Sequence, residues 1–291
     1  MASGDTLTSS VSNALNTMVA SGRMVRDYDA VVPKTVDRQR LADGTGLSWI
    51  EDRVELLSAQ DVEETTILDN AQQYSDTKFS VTPTYSGIMT FISNRTMQRN
   101  DPKITALLRG EAMSRALQRK KDTDGIAQFA LFSTALSGTG TTLVSGVISA
   151  GANRIKGNST EPGRGTINAI LHPYGIKDLQ DEIVQGIGTY TVPEGLSAEM
   201  YRRGFNGTIA GVNIWDDGNI AIDSTPDARG AMYTTDALVL VEGMSLKTYD
   251  RFRPDKGAGG TEYYMYDEYA FGQRRDVWGF SILHNATAPS N

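Results

Sequence analysis

Two histidines and a few adjacent carboxylates are the residues of this sequence that could do chemistry. His172 and His284 are its only histidines, the one side chain whose ordinary pKa lies near neutrality. Neither stands at a metal-ligand spacing from another donor. His172-Pro173 reads as the end of a strand, where a histidine satisfied within a turn suffices as an explanation. The acids come in pairs: Glu63-Glu64, Asp181-Glu182, Asp216-Asp217 and Asp267-Glu268. Two carboxylates can divide general-acid and general-base work in a hydrolase, provided they flank the scissile bond at the right separation. Adjacency in sequence does not set that separation, and neighbouring acids on solvated elements are ordinary. There is no cysteine, hence no disulfide, thiolate metal site or thiol nucleophile. Gly138-Thr139-Gly140 is not followed by the Lys-Ser/Thr of a phosphate loop, and neither a Gly-x-Ser-x-Gly elbow nor a dinucleotide fingerprint occurs. The inventory favours a structural protein with no catalytic residue, cofactor or metal over a carboxylate-dependent hydrolase, which stays as the alternative from another class.

Charge distribution is more informative than reactive groups. Between Glu51 and Asp69 seven acids (Glu51, Asp52, Glu55, Asp61, Glu63, Glu64, Asp69) face the single base Arg53. Between Arg95 and Lys121 eight bases, including Arg95, Arg99 and Arg109, face only Asp101 and Glu111. The two stretches could pair within one chain. Between copies they would steer an acidic excursion of one subunit onto a basic segment of the next, setting register more than raw affinity. The formal charge of −7 over 291 residues argues against a surface built to grip nucleic acid. No apolar run is long enough to cross a bilayer, and Met1-Ala-Ser-Gly-Asp-Thr lacks a secretory pattern. Sequons at Asn94, Asn158, Asn206 and Asn285 are therefore read as incidental.

The elements that must carry these charges centre on Asp101–Leu136. Asp101 and Pro102 suit a helix start, and Ile104, Leu107, Leu108, Ala112, Ala116, Ala127, Ala130 and Leu131 recur at helical spacings up to Gly138. Unbroken, this spine would measure about 54 Å at 1.5 Å per residue. A kink at Gly125, or two shorter helices, is the other reading. Before it, Leu7, Val11, Leu15, Met18 and Val19 line one face of a short helix over Asp5–Gly22, and Met24–Val36 reads as an extended arm. Lys78–Tyr85 alternates like a strand demoted to an edge by Pro83. With the stretch from Asp37 it suggests a long hairpin reaching outward. After the spine, Thr142–Lys156 reads as a helix, Thr166–Leu171 as a buried strand, Tyr174–Gln185 as a helix, Ser197–Arg203 as a short helix and Thr208–Trp215 as a strand. Together these suggest a compact α/β unit over 138–228. Asp236–Glu242 is a buried strand by composition, Arg251–Gly260 a polar bend, and Tyr263–Leu283 an antiparallel ribbon turning at Phe271-Gly272. Tyr263 and Tyr266 suit an interface between subunits or one face of a sheet on its own core.

This order of parts resembles the major capsid proteins of tailed bacteriophages, the Hong Kong 97 fold. Val81-Thr82-Pro83, Arg99-Asn100-Asp101 and Ala169-Ile170-Leu171-His172-Pro173 with Asp178-Leu179 carry the resemblance. So do Gly207–Val212 with Trp215, Ala237-Leu238, Tyr269-Ala270-Phe271-Gly272, and Arg275-Asp276 with Gly279. It is similar above all to capsid proteins of N4-type podoviruses. The resemblance implies an α+β chain: an N-terminal arm over 1–37, an extended E-loop over 38–80, a P-domain strand and spine over 81–137, an A-domain over 138–228, and the P-domain sheet with the C-terminus over 229–291. It implies a virion protein, assembled in the bacterial host cytoplasm, whose hexamers and pentamers enclose double-stranded DNA without sequence-specific contact. Portal and scaffolding or decoration proteins would be its other partners, and no membrane is involved. Interface residues are expected at Glu51, Asp52, Glu55, Asp61, Glu63, Glu64, Arg95, Arg99, Arg109, Tyr263 and Tyr266. Some members of the fold cross-link a loop lysine to a neighbour's asparagine. Here Lys78, near the loop's base, is the only lysine of the region, so no such cross-link is expected. The chain opens directly on its arm, so a scaffolding segment is expected to be removed or separate. An encapsulin-like compartment is the related alternative.

Overall fold

The computed structural model describes residues 29–64, 71–99, 110–185, 207–256 and 259–289. The helices expected over Asp5–Gly22 and Ser197–Arg203, and the Asp101–Leu108 start of the spine, lie outside them. The chain divides into two compact units, the larger drawn from 30–86, 121–245 and 267–291.

The larger unit is built on a six-stranded sheet of order β5-β13-β9-β6-β8-β7. Its strands are β5 (Ala135–Ser137), β6 (Ile167–Leu171), β7 (Thr208–Ile209), β8 (Val212–Asp216), β9 (Asp227–Thr234) and β13 (Gly279–Asn285). Every residue of β6 is buried, because the sheet is covered on both faces, which is why the strand reads as a continuous apolar run. Ile167, Ala169 and Leu171 meet Ile148, Ala152 and Ile155 of helix α4 (Ser145–Lys156) and Ile176 and Leu179 of helix α5 (Pro173–Gln185). Ile170, Ala231 and Tyr233 point the other way, onto Val32, Val36, Phe129, Phe132 and Leu240. Each Val, Leu, Ile or Phe side chain so withdrawn from water contributes about 1.5–3 kcal/mol. The turn between β7 and β8 places Ala210 at φ 52° and Gly211 at φ 79°, the double positive φ that a tight hairpin requires. Most of β9 and all of β13 come from beyond residue 228 and β5 from before 138, so the stretch 138–228 does not complete this sheet by itself.

Three expectations change. From Val31 onward the presumed arm is core: Val31, Val32 and Val36 are buried, and α1 (Val32–Thr35) is a single turn with Pro33 near its start. It leads into β1 (Asp37–Arg40), parallel to β10 (Leu238–Glu242). The spine helix α3 covers Ala112–Ala127, about 24 Å at 1.5 Å per residue, followed by a 3₁₀ turn over Gln128–Leu131. It stops short of Leu136 because Ala135–Ser137 gain a parallel ladder with β13 and Phe132 buries its ring beside Tyr233. Gly125 is no kink. The helix runs through it, and a Cβ there would stand 2.6 Å from Val32 Cγ1. Nor does the tyrosine-rich strand turn at Phe271-Gly272. β12 runs unbroken over Gly260–Gln273, with Gly272 opposite Val239 of β10. Gly272 is needed there because a Cβ would meet Val81 Cγ2 at 2.5 Å, and the following strand joins the six-stranded sheet instead.

The smaller unit takes its described residues from 87–120 and 246–266. It holds most of β4 (Thr84–Ser93), helix α2 (Asn94–Arg99), the first half of α3, β11 (Lys247–Arg253) and the first half of β12. β11 pairs antiparallel with β12, Tyr249 opposite Tyr264, so the polar bend begins after Arg253. Ile92, Met113, Leu117, Tyr263 and Met265 form its core, with Ile88 and Met97 at the margin.

Candidate subunit interface

The acidic excursion is rooted in a two-stranded hairpin of the larger unit. β2 (Trp49–Val54) pairs antiparallel with β3 (Asp76–Val81), Asp52 opposite Lys78. Alternation gives β2 two different faces. Trp49, Glu51 and Arg53 turn inward. Trp49 meets Phe79 edge to face and packs with Leu41, Val81, Val239 and Val241. Ile50, Asp52 and Val54 turn outward, with Ile50 and Val54 each 58% exposed.

Arginines fasten the inward face. Arg274 donates to Glu51 Oε2 at 2.6 Å and to Asp37 Oδ2 at 2.8 Å, and its guanidinium lies 5.7 Å from the Trp49 ring. Burial pulls the Asp37 carboxyl upward, but the hydrogen bonds from Arg274 and Gln39 outweigh it and hold Asp37 below its ordinary value. Burial likewise works against the Arg274 charge, and its two carboxylate partners more than compensate. Arg53 pairs with Glu161 at 3.1 Å, and Arg275 reaches the same carboxylate at 2.5 Å. Trp278 Nε1 donates to the Glu161 carbonyl at 3.0 Å. An open recess of about 640 Å³ beside this root is lined by Arg53, Val54, Leu56, Pro162, Arg164 and Trp278.

The acids thus split into two sets. Glu51 is half-buried and neutralised within its own chain. Asp52, Glu55, Asp61, Glu63 and Glu64 are exposed and make no ion pair among the described residues. In the smaller unit Arg95 and Arg99 lie exposed on α2, ahead of the stretch expected as the spine, and Arg109 falls outside the described residues. Tyr263 is 8% exposed and belongs to that unit's core. Tyr266 lies on the opposite face of the sheet, stacked on Tyr264 with 6.2 Å between ring centres. Gly87 makes room for that ring, since a Cβ there would stand 2.6 Å from Tyr266 Cδ1. Met89 and Tyr249 are exposed, and Lys256 lies over the Phe91 ring. Sequence reasoning missed Arg274, Glu161, Met89 and Tyr249. The alternation Tyr85-x-Gly87-x-Met89-x-Phe91 was the available signal for Met89.

Several of the candidate chemical groups are held by neighbours of their own. Asp181 pairs with Lys177, Glu182 accepts from the Ser145 amide at 2.5 Å, and Asp267 pairs with Lys121 at 2.8 Å. His172 Nδ1 accepts from the Tyr174 amide at 3.2 Å. Among the described residues no three His, Asp or Glu side chains are grouped to hold a metal ion, and no helix is long and apolar enough to cross a membrane.

No family model and no curated protein matches the sequence. Solved structures do. The mature capsid of bacteriophage PhiM1 aligns over 93% of this chain and 90% of its own, at a TM-score of 0.67 and 17% identity. The capsid of cyanophage P-SCSP1u aligns over 92% of both chains, at 0.69 and 13%. A structure from Mycobacterium phage Che8 aligns over 93% of this chain and 97% of its own, at 0.70 and 13%. The chain has the phage capsid fold. The α+β, Hong Kong 97-like architecture that the motif order implied is the one observed. Within the larger unit, outward-facing Asp52 shares β2 with inward-facing Trp49, Glu51 and Arg53, which pack or pair with their own chain.

Proposed function

We propose that this protein is a major capsid subunit, whose copies assemble as hexamers and pentamers into an icosahedral shell around double-stranded DNA. The observation that carries this reading is the match, over nine-tenths or more of both chains, to structures that are themselves phage capsids. Shells need only weak individual contacts, because closure makes them multivalent. The acidic excursion over 38–80 acts as an E-loop. Its outward carboxylates Asp52, Glu55, Asp61, Glu63 and Glu64 meet a neighbour's basic and aromatic surface, including Arg95, Arg99, Arg109 and Tyr266. The spine region and closing sheet serve as a P-domain, and 138–228 as an A-domain. The negative balance suits an inner wall that does not trap packaged DNA. Portal and scaffolding or decoration proteins complete the virion, assembly occurs in the host cytoplasm, and no lysine–asparagine cross-link forms at Lys78. The motif order supports the narrower kinship with N4-type podovirus capsids. Electron microscopy and sedimentation of the purified chain test the reading. Icosahedral particles are expected, and a persistent monomer across salt, pH and concentration refutes it.

A further inference from the structure

In the larger unit two carboxyl groups meet where one negative charge is already hard to accommodate. Asp122 of α3 is completely buried, and Asp217, in the turn after β8, is 1% exposed. Asp122 Oδ1 accepts the amides of Val31 and Val32 at 2.9 and 3.0 Å, and Oδ2 accepts Asn219 Nδ2 at 2.9 Å. Asp217 accepts only the Asn219 amide, at 2.8 Å through Oδ1. Its Oδ2 has no donor, and Asn219 joins the two carboxyls, its backbone amide on Asp217 and its side-chain amide on Asp122. Two ionised carboxylates cannot hydrogen-bond, since each only accepts. Asp216 and Tyr233 are further ionisable groups that act on the pair.

We propose that Asp122 and Asp217 share one proton, and that this proton latches the Val31–Val36 strap to the spine helix and to the turn after β8. Donor counts assign the proton. Asp217 accepts a single N–H, against three at Asp122, and carries the hydrogen. Burial, followed by the opposing Asp122, pushes Asp217 up to about 8. Opening the strap lets water reach the pair and returns Asp217 towards 3.8, its ordinary value. The closed form therefore binds a proton the open form has released, so closure weakens as pH rises from about 4 and levels off above about 8. Close to Val32, Thr35 Oγ1 bonds the Tyr233 hydroxyl at 2.6 Å, a contact that would be lost with the same opening.

Hydrogen exchange on the full chain tests this. After correction for base catalysis, protection of the Val31 and Val32 amides should fall tenfold or more between pH 6 and pH 9 in the wild type. It should stay flat in Asp217→Asn, whose amide donates without titrating. Infrared spectra of the wild type give a reading that needs no variant. A protonated-carboxylic-acid band should persist at pH 7, vanish near pH 8 to 9, and be missing from Asp217→Asn. No such band at pH 7, or identical exchange profiles in the two proteins, overturns the proposal. So does protection that follows the identity of the added cation at constant ionic strength, which would mean a bridging ion.

Discussion

Gly125→Ala should destabilise the subunit, against the sign that helix propensity gives. Replacing glycine by alanine inside a helix ordinarily gains about 0.5–1 kcal/mol. Here the new Cβ would lie 2.6 Å from Val32 Cγ1, 3.0 Å from Val32 Cβ and 3.1 Å from Phe271 Cζ. Ordinary contact begins at 3.4 Å, so Val32 would have to withdraw by about 0.8 Å. It has little freedom to do so. Its amide is bonded to Asp122 at 3.0 Å, Pro33 follows it, and none of its surface is exposed. Overpacking of this kind costs about 1–3 kcal/mol. The net expectation is a loss of about 1–2 kcal/mol, or ~2–4 °C in melting temperature per kcal/mol for a chain of this size. Urea unfolding of the unassembled subunit, followed by far-UV dichroism, measures it. A double-mutant cycle supplies the decisive number: in Gly125→Ala/Val32→Ala the new methyl enters the space that valine leaves, so the pair should cost less than the sum of its members by about 1 kcal/mol or more. A more stable Gly125→Ala, or strict additivity, would refute the argument that this glycine exists for close approach.

Asp52→Lys with Glu55→Lys should impair particle formation while leaving subunit stability within about 0.5 kcal/mol, since both side chains are exposed; normal particles would show the outward charges are dispensable. Glu51→Lys should differ, lowering subunit stability itself, because it places a cation against Arg274, and unchanged unfolding would remove that distinction. Leu117→Pro should cost about 3 kcal/mol or more, since Leu117 is a core residue in the middle of α3; an unaltered melting curve would mean no helix there. Acid should destabilise the subunit through both histidines, each held below 6.5 chiefly by burial. The unfolded chain takes up protons near pH 6.5 that the folded one refuses, so this stability is present above 6.5 and lost as pH falls below it, at up to ~1.4 kcal/mol per pH unit for each histidine. His284→Gln should flatten the slope, and an unchanged pH profile would place its protonation elsewhere.

Local signals carried much of the fold. The apolar run Ile167–Leu171, His172-Pro173 as its end and the helical spacing of Ile176 and Leu179 identify β6 and α5, because neighbours in sequence decide them. The same holds for β10 and α4. Elements settled by a distant partner were not legible. The spine's end depends on β13, more than 140 residues later, which offers Ala135–Ser137 a ladder where the sequence offered a further turn of helix. Gly272 looks like a turn residue until Val81 and Phe79 are seen against it. Asp122 sits within a polar run of α3, and nothing near it foretells Val31 or Asp217. At the candidate interface, composition exposed the acidic excess but not which acids were already spoken for by Arg274, an arginine 223 residues away from Glu51.

That separation bears on how such a loop can serve assembly. An acidic hairpin with every carboxylate free would repel its own body wherever other acids lie near, and would swing. Here the root is held from inside by Trp49 packing and by two arginine clusters, Arg274 with Glu51 and Asp37, and Arg53 and Arg275 with Glu161. Such partly buried charge pairs order side chains more than they add stability. Their consequence is directional: the inward charges are cancelled, and the outward field is that of Asp52, Glu55 and the acids beyond, offset in part by Lys78 opposite Asp52. On the proposed assembly role, a neighbouring copy would meet a stem held from inside, with a net negative edge and exposed Ile50 and Val54 beside it. Charge on such an edge governs encounter and register, while the apolar side chains contribute once contact is made. Reversing the edge should accordingly slow assembly most at low salt, where screening is weakest, and slow it least at high salt. Equal slowing at all salt concentrations would assign the loop's role to shape alone.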